Sequence, residues 1–336
     1  MLKKILIGGL GLVAALAVIG LLLPRTSHVQ RSIEIGRPAS VVYAIVDSFQ
    51  LFDQWSPWQD LDPNMKQTVG GAREGVGATL TWTGNDKVGS GSQVITADVP
   101  NRSVESNVDF GSMGVAKATL RLEPVAAGTR VTWMLDSDMG AGPIGHYFGL
   151  MMDRMIGQDY AHGLEKLKRL AENMPDVDIA GFDVHAVQVA GRPILMVRRS
   201  TGADVSSIAK AYADGYAEIR KFMTARKLKQ AGPPMGIDGD MRDKSFTFDA
   251  ALPVDRGAVS GGGAGDVRLA QSYTGSALRT VHLGPYDTLG QTYGKMRAYM
   301  MAHGYGAKGP SFSIYIDDPA VTPAPQLRTE IYWPLQ

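Results

Sequence analysis

The sequence predicts an α+β protein in three parts: an N-terminal membrane helix, a region of antiparallel sheet closed by one long helix, and a duplicated, pseudo-symmetric region. Three observations predict it. Ile5 to Leu23 is an apolar run without a charge. Between Ala78 and Leu135, short apolar runs are divided by turn signals, the pattern of an antiparallel sheet. Towards the C-terminus the chain repeats itself. Tyr216-Ala-Glu-Ile219-Arg220-Lys-Phe222-Met223 recurs 77 residues on as Tyr293-Gly-Lys-Met296-Arg297-Ala-Tyr299-Met300, and Gly232-Pro233 recurs as Gly309-Pro310. Asp249-Ala-Ala-Leu-Pro253-Val answers to Glu330-Ile-Tyr-Trp-Pro334-Leu at an offset of 81. One unit built twice gives a pseudo-symmetric domain, with a ligand site expected where the halves meet.

The N-terminal run is preceded by Lys3 and Lys4 and closed by Pro24-Arg25, and it is long enough to span a bilayer as a helix. A cleaved signal peptide is the rival, with Ala15-Leu-Ala17 as a cleavage-like box. Val18 to Leu23 continues the run past that box, so an uncleaved anchor over residues 1–27 is expected. Lys3 and Lys4 oppose Arg25, Arg31 and Arg37, and the positive-inside balance is nearly even. The expectation is a single-pass protein of the bacterial inner membrane with its globular part in the periplasm. Gly8-Gly9-Leu-Gly11 follows no strand and has no downstream acid in a βαβ unit, so it is not a dinucleotide loop.

Residues 28–172 form the first globular region. His28 to Ile35 reads as a strand, Pro38 to Val46 as a short helix and Phe49 to Trp58 as a second. Strands follow at Ala78–Trp82, Ser92–Thr96, Ser103–Phe110, Ala116–Leu122 and Thr129–Leu135. A helix from His146 to Glu172 closes the region, its apolar face supplied by Phe148, Met151, Met152, Met155, Ile156, Leu164 and Leu167. Residues 173–176 carry Pro175 and read as a linker. Residues 177–336 then give strands at Phe182–Val189 and Ile194–Arg199, a helix at Val205–Arg226 and a strand at Phe246–Leu252. After a glycine-rich connector at Asp255–Asp266 come a strand at Leu278–His282, a helix at Leu289–His303, and strands at Phe312–Ile316 and Leu327–Trp333.

Composition excludes several classes of function. At 336 residues two domains are expected. A net charge of +1 gives no broad electrostatic case for nucleic acid, which is not expected as a partner. The absence of cysteine removes disulfides, thiolate nucleophiles and Cys-ligated metals. The six histidines form no HExxH motif and no tight cluster, so neither a metal nor a cofactor is expected.

The first region resembles the START-like, or polyketide-cyclase (SRPBCC), superfamily. The resemblance rests on Trp55-Ser-Pro-Trp58, Gly75-Val-Gly-Ala-Thr-Leu-Thr-Trp82, Val88-Gly-Ser-Gly-Ser92, Gly128-Thr-Arg-Val-Thr-Trp133 and the stretch from Met155-Ile-Gly to Lys168. It implies a helix-grip fold, a curved sheet around the long helix, with an apolar cavity for a hydrophobic ligand. Trp82, Trp133, Met151, Met155 and Tyr147 are the candidate lining, with plain core residues as the alternative reading.

The second region resembles the GyrI-like, or bacterial transcription-activator effector-binding, family. The residues that carry this are His282-Leu-Gly-Pro-Tyr286, Tyr315-Ile-Asp-Asp-Pro319 and Thr329-Glu330-Ile-Tyr-Trp-Pro334-Leu. The resemblance implies two βαββ units with a ligand cleft and an acid in it, which falls on Glu330. Strand alternation puts Glu330 and Tyr332 on one face and Ile331 and Trp333 on the other. A carboxylate among aromatic walls is costly unless a cation pairs it, or unless it stays protonated and serves as acid or base. Tyr286 or Tyr315 could then orient water or a leaving group, while Arg198 and Arg199 could instead neutralise an acid. The bland alternative is a Glu solvated at a strand edge. Two functions remain open: a membrane-tethered protein binding small hydrophobic or cationic ligands, or, as the resemblance implies, a hydrolase of strained electrophiles using Glu330 and Tyr286.

Overall fold

The computed structural model describes residues 2–111, 114–242, 244–255 and 265–336, so most of the expected glycine-rich connector lies outside the described residues. The chain divides into two compact units: Met1–Ala180 with Ala298–Gly304, and Gly181–Arg297 with Tyr305–Gln336.

The first unit begins with α1, Leu2–Leu22. Among the described residues, no helix is long and apolar enough to cross a membrane, so the expected span over 5–23 gains no support here. The side chains of residues 2–6 and 13 are not among those described. What α1 does show is a close approach to the start of α5, Pro143–Glu172. The hydroxyl of Tyr147 donates to the carbonyl of Leu16 at 2.9 Å, and His146 Nδ1 lies 2.8 Å from the carbonyl of Gly20. A Cβ at Gly20 would sit 2.5 Å from the Pro143 side chain, so only glycine fits that crossing.

Seven strands make the sheet of this unit in the order β1-β7-β6-β5-β4-β3-β2. They are β1 (Thr26–Ile35), β2 (Lys66–Gly71), β3 (Ala78–Thr83), β4 (Ser90–Val99), β5 (Ser103–Asp109), β6 (Val115–Val125) and β7 (Gly128–Asp138). Every pairing is antiparallel. Alternation along the strands sends Val29, Leu80, Ile95, Leu120, Leu122, Val131 and Trp133 inwards. Helix α5 opens with Pro143 in its first turn, where the missing N–H is no loss. It buries Met152, Tyr160, Leu164, Leu167 and Ala171, spaced to share one face. Helix α2 (Ala39–Val46) follows the sequence expectation. The helix expected over 49–58 is instead two single turns, α3 (Phe52–Trp55) and α4 (Trp58–Leu61). Pro57 lies between them and cannot donate to a continuous ladder. Strand β2 escapes the sequence reading because it is an exposed edge with one large apolar residue, Val69.

The second unit is an eight-stranded antiparallel sheet in the order β12-β9-β11-β10-β14-β15-β13-β8. Its strands are β8 (His185–Val189), β9 (Pro193–Gly202), β10 (Met235–Arg242), β11 (Ser245–Pro253), β12 (Arg268–Gln271), β13 (Gly275–Leu283), β14 (Phe312–Tyr315) and β15 (Arg328–Pro334). The two copies are β9-α6-β10-β11 and β13-α7-β14-β15, with α6 at Val205–Arg226 and α7 at Leu289–Ala302. Asp204 caps α6 by accepting from the Ser207 N–H at 2.9 Å, and Lys227 ends it in the left-handed region. The copies meet where β10 pairs β14, with Gly236 directly opposite Ser313. Those two residues are also 77 apart, so the pseudo-dyad runs through that pair. The outer strands are exchanged: β8, which precedes the first copy, pairs β13 of the second, and β12, which precedes the second, pairs β9 of the first.

Each face of this sheet has its own core. Leu195, Val197, Phe248, Ala250 and Leu252 pack with Ile219 and Met223 of α6. On the other face Ile194, Met235, Ala251 and Phe312 cluster with Tyr332, Ile314 and Tyr273.

Candidate functional site

In the first unit a small cavity lies between α2–α3 and the sheet, lined by Phe49, Phe52, Trp55, Ile95, Leu120 and Trp133 among others. Its volume is about 20 Å³, room for roughly one water. Trp133, expected in the lining, is there and stacks on Tyr160 of α5 at 3.8 Å. Sequence reasoning missed Trp55, whose buried Nε1 has no hydrogen-bond partner, and the polar pair Gln93–Ser106, 2.7 Å apart. The other expected lining residues stand elsewhere. Met151 and Met155 are 58% and 49% exposed, because the buried face of α5 runs through Met152 and Tyr160 instead. Trp82 is half-buried and edge-on to Phe110, outside the lining, and Tyr147 reaches α1.

In the second unit, Glu330 and Tyr332 share a face of β15, as alternation requires. The Tyr332 hydroxyl donates to Glu330 Oε2 at 2.6 Å. Arg279, on the neighbouring strand, donates to Glu330 Oε1 at 2.5 Å. Burial pushes the Glu330 carboxyl up, but these two donors outweigh it and hold the group below its usual range. Glu330 is therefore an ionised carboxylate with a guanidinium already in place. Its counterpart Asp249 is likewise met by Arg198 at 2.9 Å, while Arg199 turns to Glu218 of α6. Arg198 thus neutralises an acid as the sequence allowed, but that acid is Asp249 and not Glu330.

Tyr286 and Tyr315 are not brought to Glu330. Ile314 pairs with Glu330 across β14 and β15, so its neighbour Tyr315 points to the helix side of the sheet. Tyr286 joins Tyr315 there at 5.4 Å between ring centroids. A hydrolytic Glu330–Tyr286 pair does not exist in this arrangement.

What the helix side does assemble is an aromatic cluster at the pseudo-dyad. Tyr212 and Tyr216 come from α6, Tyr293 from α7, Tyr315 from β14 and Tyr286 from the turn before α7. Tyr216 and Tyr293 are the same position in the two copies, and both reach the dyad strands. The Tyr216 hydroxyl donates to the Met235 carbonyl at 3.1 Å, and the Tyr293 hydroxyl lies 2.8 Å from Ser313 Oγ. Tyr212 stacks on Phe248 at 3.8 Å and meets Tyr315 edge-on at 5.9 Å. Its hydroxyl occupies the space a side chain at Gly236 would need, since a Cβ there would lie 2.4 Å from it.

Asp238, also on β10, faces this cluster. It accepts from Ser311 Oγ at 2.7 Å, and burial raises its carboxyl above the ordinary value despite that bond and one from Tyr293. Among the described residues, no Lys or Arg pairs with it. Sequence reasoning missed Asp238, although a signal existed: it stands 77 residues before Tyr315, hence at the same position in the first copy. One carboxylate thus stands near the rings of Tyr212, Tyr293 and Tyr315. Among the described residues, no group of three His, Asp or Glu side chains could hold a metal.

Residues 26–172 match the family model described as polyketide cyclase/dehydrase and lipid transport. Residues 182–336 match that of the GyrI-like small molecule binding domain. The chain joins a cyclase-like domain to a GyrI-like domain. Among solved structures, the C-terminal domain of EcmrR is 19% identical, covering 46% of this chain and 98% of that one, with a TM-score of 0.42. A hydrolase from Listeria innocua is 18% identical over 46% of this chain and 92% of its own, with a TM-score of 0.34. EcmrR in its DNA complex is 16% identical over 57% and 72%, with a TM-score of 0.42. No curated protein matches the chain. The GyrI-like domain thus holds its Glu330 motif on one face of the sheet and its tyrosine cluster on the other.

Proposed function

We propose that this is a membrane-tethered ligand-binding protein whose GyrI-like domain takes a small lipophilic cation at the tyrosine cluster. The observation that carries the proposal is Asp238, a half-buried carboxylate without a basic partner among the described residues, beside tyrosine rings from both copies. A cation docked there would compensate the burial of the carboxylate and gain cation–π attraction. Glu330 is not the anion in this reading, because Arg279 already occupies it. The cyclase-like domain would take a small hydrophobic ligand between Trp55 and Trp133, once its cavity widens. The tether is proposed from the uncharged run Ile5–Leu23, and with it a bacterial inner-membrane location with the globular part on the periplasmic side. The hydrolase alternative is not retained, since no observation favours it.

The test is calorimetric titration with tetraphenylphosphonium and with neutral triphenylphosphine oxide. Asp238→Asn should weaken the cation by about 1.5–3 kcal/mol, roughly tenfold or more, and leave the neutral compound unchanged. Equal affinity of the variant for the cation would remove the proposal.

A further inference from the structure

The face of the GyrI-like sheet that carries Glu330 holds an open cavity of about 250 Å³. That is the room of roughly eight liquid waters. It is separate from the tyrosine cluster, because Ile314 lines it while the adjacent Tyr315 points to the opposite face. Its walls are Val187, Val189, Met235, Phe312 and Ile314, and Tyr332 lies flat on Phe312 at 4.8 Å with ring planes 2° apart. The turn between β8 and β9 closes one end, fixed by bonds from Ser272 N–H to the Arg192 carbonyl and from Arg192 N–H to Ser272 Oγ, each 3.0 Å.

Two guanidiniums line this apolar space. Arg279 is ion-paired with Glu330, which itself accepts from Tyr332. Arg192 makes no ion pair among the described residues; it is exposed, with its guanidinium beside Gly232. The lining therefore carries one unmatched positive charge over an apolar body. A neutral hydrophobe would leave that charge to solvent alone, and a cation would be repelled by it. A carboxylate would meet Arg192 through a charge-assisted, bidentate pair.

We propose that this cavity is a second small-molecule site, selective for an amphipathic monoanion: a carboxylate on a short apolar chain, held by Arg192. Phe312, Met235 and Val189 would take the chain, and Ser272 would keep the Arg192 backbone in place. The paired Arg279 and Glu330 contribute a neutral dipole beside the bound anion. The site is independent of the cation site, so each can be occupied while the other is.

Octanoate, octanol and octylammonium share one chain and differ in charge, which makes them the probes. Titration of the full-length protein should show octanoate binding well ahead of octanol and no binding of octylammonium. Arg192→Gln should weaken octanoate at least tenfold and leave octanol unchanged, while Arg192→Lys should recover only part of the affinity, because it keeps the charge and loses the bidentate fork. Saturating tetraphenylphosphonium should leave octanoate affinity as it was. Octylammonium binding as tightly as octanoate would overturn the proposal. So would an Arg192→Gln protein, folded by circular dichroism, that binds octanoate normally. Competition between octanoate and the phosphonium would place both on one site and overturn it equally.

Discussion

Asp47 closes α2 with a carboxyl that is 8% exposed and one oxygen without a partner. Burial is the main cause that lifts it to about 7; Tyr43 counters in part by hydrogen bonding, and the nearby Asp98 and Glu74 add to the rise. The unfolded chain ionises this group in the ordinary carboxylate range. Between that range and neutrality the folded state holds the extra proton, so its stability falls as pH rises through the window and levels off above it. Asp47→Asn removes the step. Urea midpoints of the variant should therefore gain on the parent protein from about pH 4 to about pH 8; parallel profiles would show that Asp47 does not titrate this way. Among single residues, what sequence reasoning found was motif chemistry. Glu330 and Tyr332 share a face as alternation demands. The partner of Glu330 was not legible, since Arg279 reaches it diagonally: Arg279 stands opposite Tyr332, and Val281 opposite Glu330. That relation depends on register, which one strand read alone does not contain.

Among the elements, helices were the most readable. The limits expected for α6, Val205–Arg226, are those observed, because Asp204 and Lys227 provide chemical end signals. Strands β2, β10 and β12 were not read, for a common reason. Large apolar side chains are few in β2 and β12, and in β10 they are broken up by two glycines in Met235-Gly-Ile-Asp-Gly-Asp. With β10 went Asp238. Yet β10 is the strand on which the two copies meet, and its glycine is there to admit Tyr212. Gly236→Ala should push that ring aside and cost about 1–3 kcal/mol as overpacking. The measurement is a urea denaturation curve, and tetraphenylphosphonium affinity should drop with it. A variant as stable as the parent would mean that Tyr212 has room to move. The β13–β15 pair makes a second test. Glu330→Gln leaves Arg279, 29% exposed, without its counter-charge, and should lower stability by about 1–2 kcal/mol. A neutral or stabilising result would show that solvent already screens the pair.

For the whole molecule, the duplication and the two-domain order were legible because repeats and motifs survive in a linear sequence. The cyclase-like cavity was overestimated, because Met151 and Met155 lie on the helix that closes the fold but not on its inward face. The tether gives a direct prediction. The full-length chain should stay with membranes through an alkaline carbonate wash, whereas a chain beginning at Thr26 should not. Release of the full-length protein would end the tether proposal. The exchange of β8 and β12 has its own consequence, for assembly during synthesis. Neither copy can finish its sheet alone: β8 must wait for β13, emerging some ninety residues later, and β9 needs β12 from beyond the connector. Closing such distant pairings is slow compared with local helix formation. A ribosome halted after β11 would thus carry a half-sheet with β8 unpaired. The GyrI-like domain should gain protease resistance in one late step, after β15 has emerged, and not in two equal instalments.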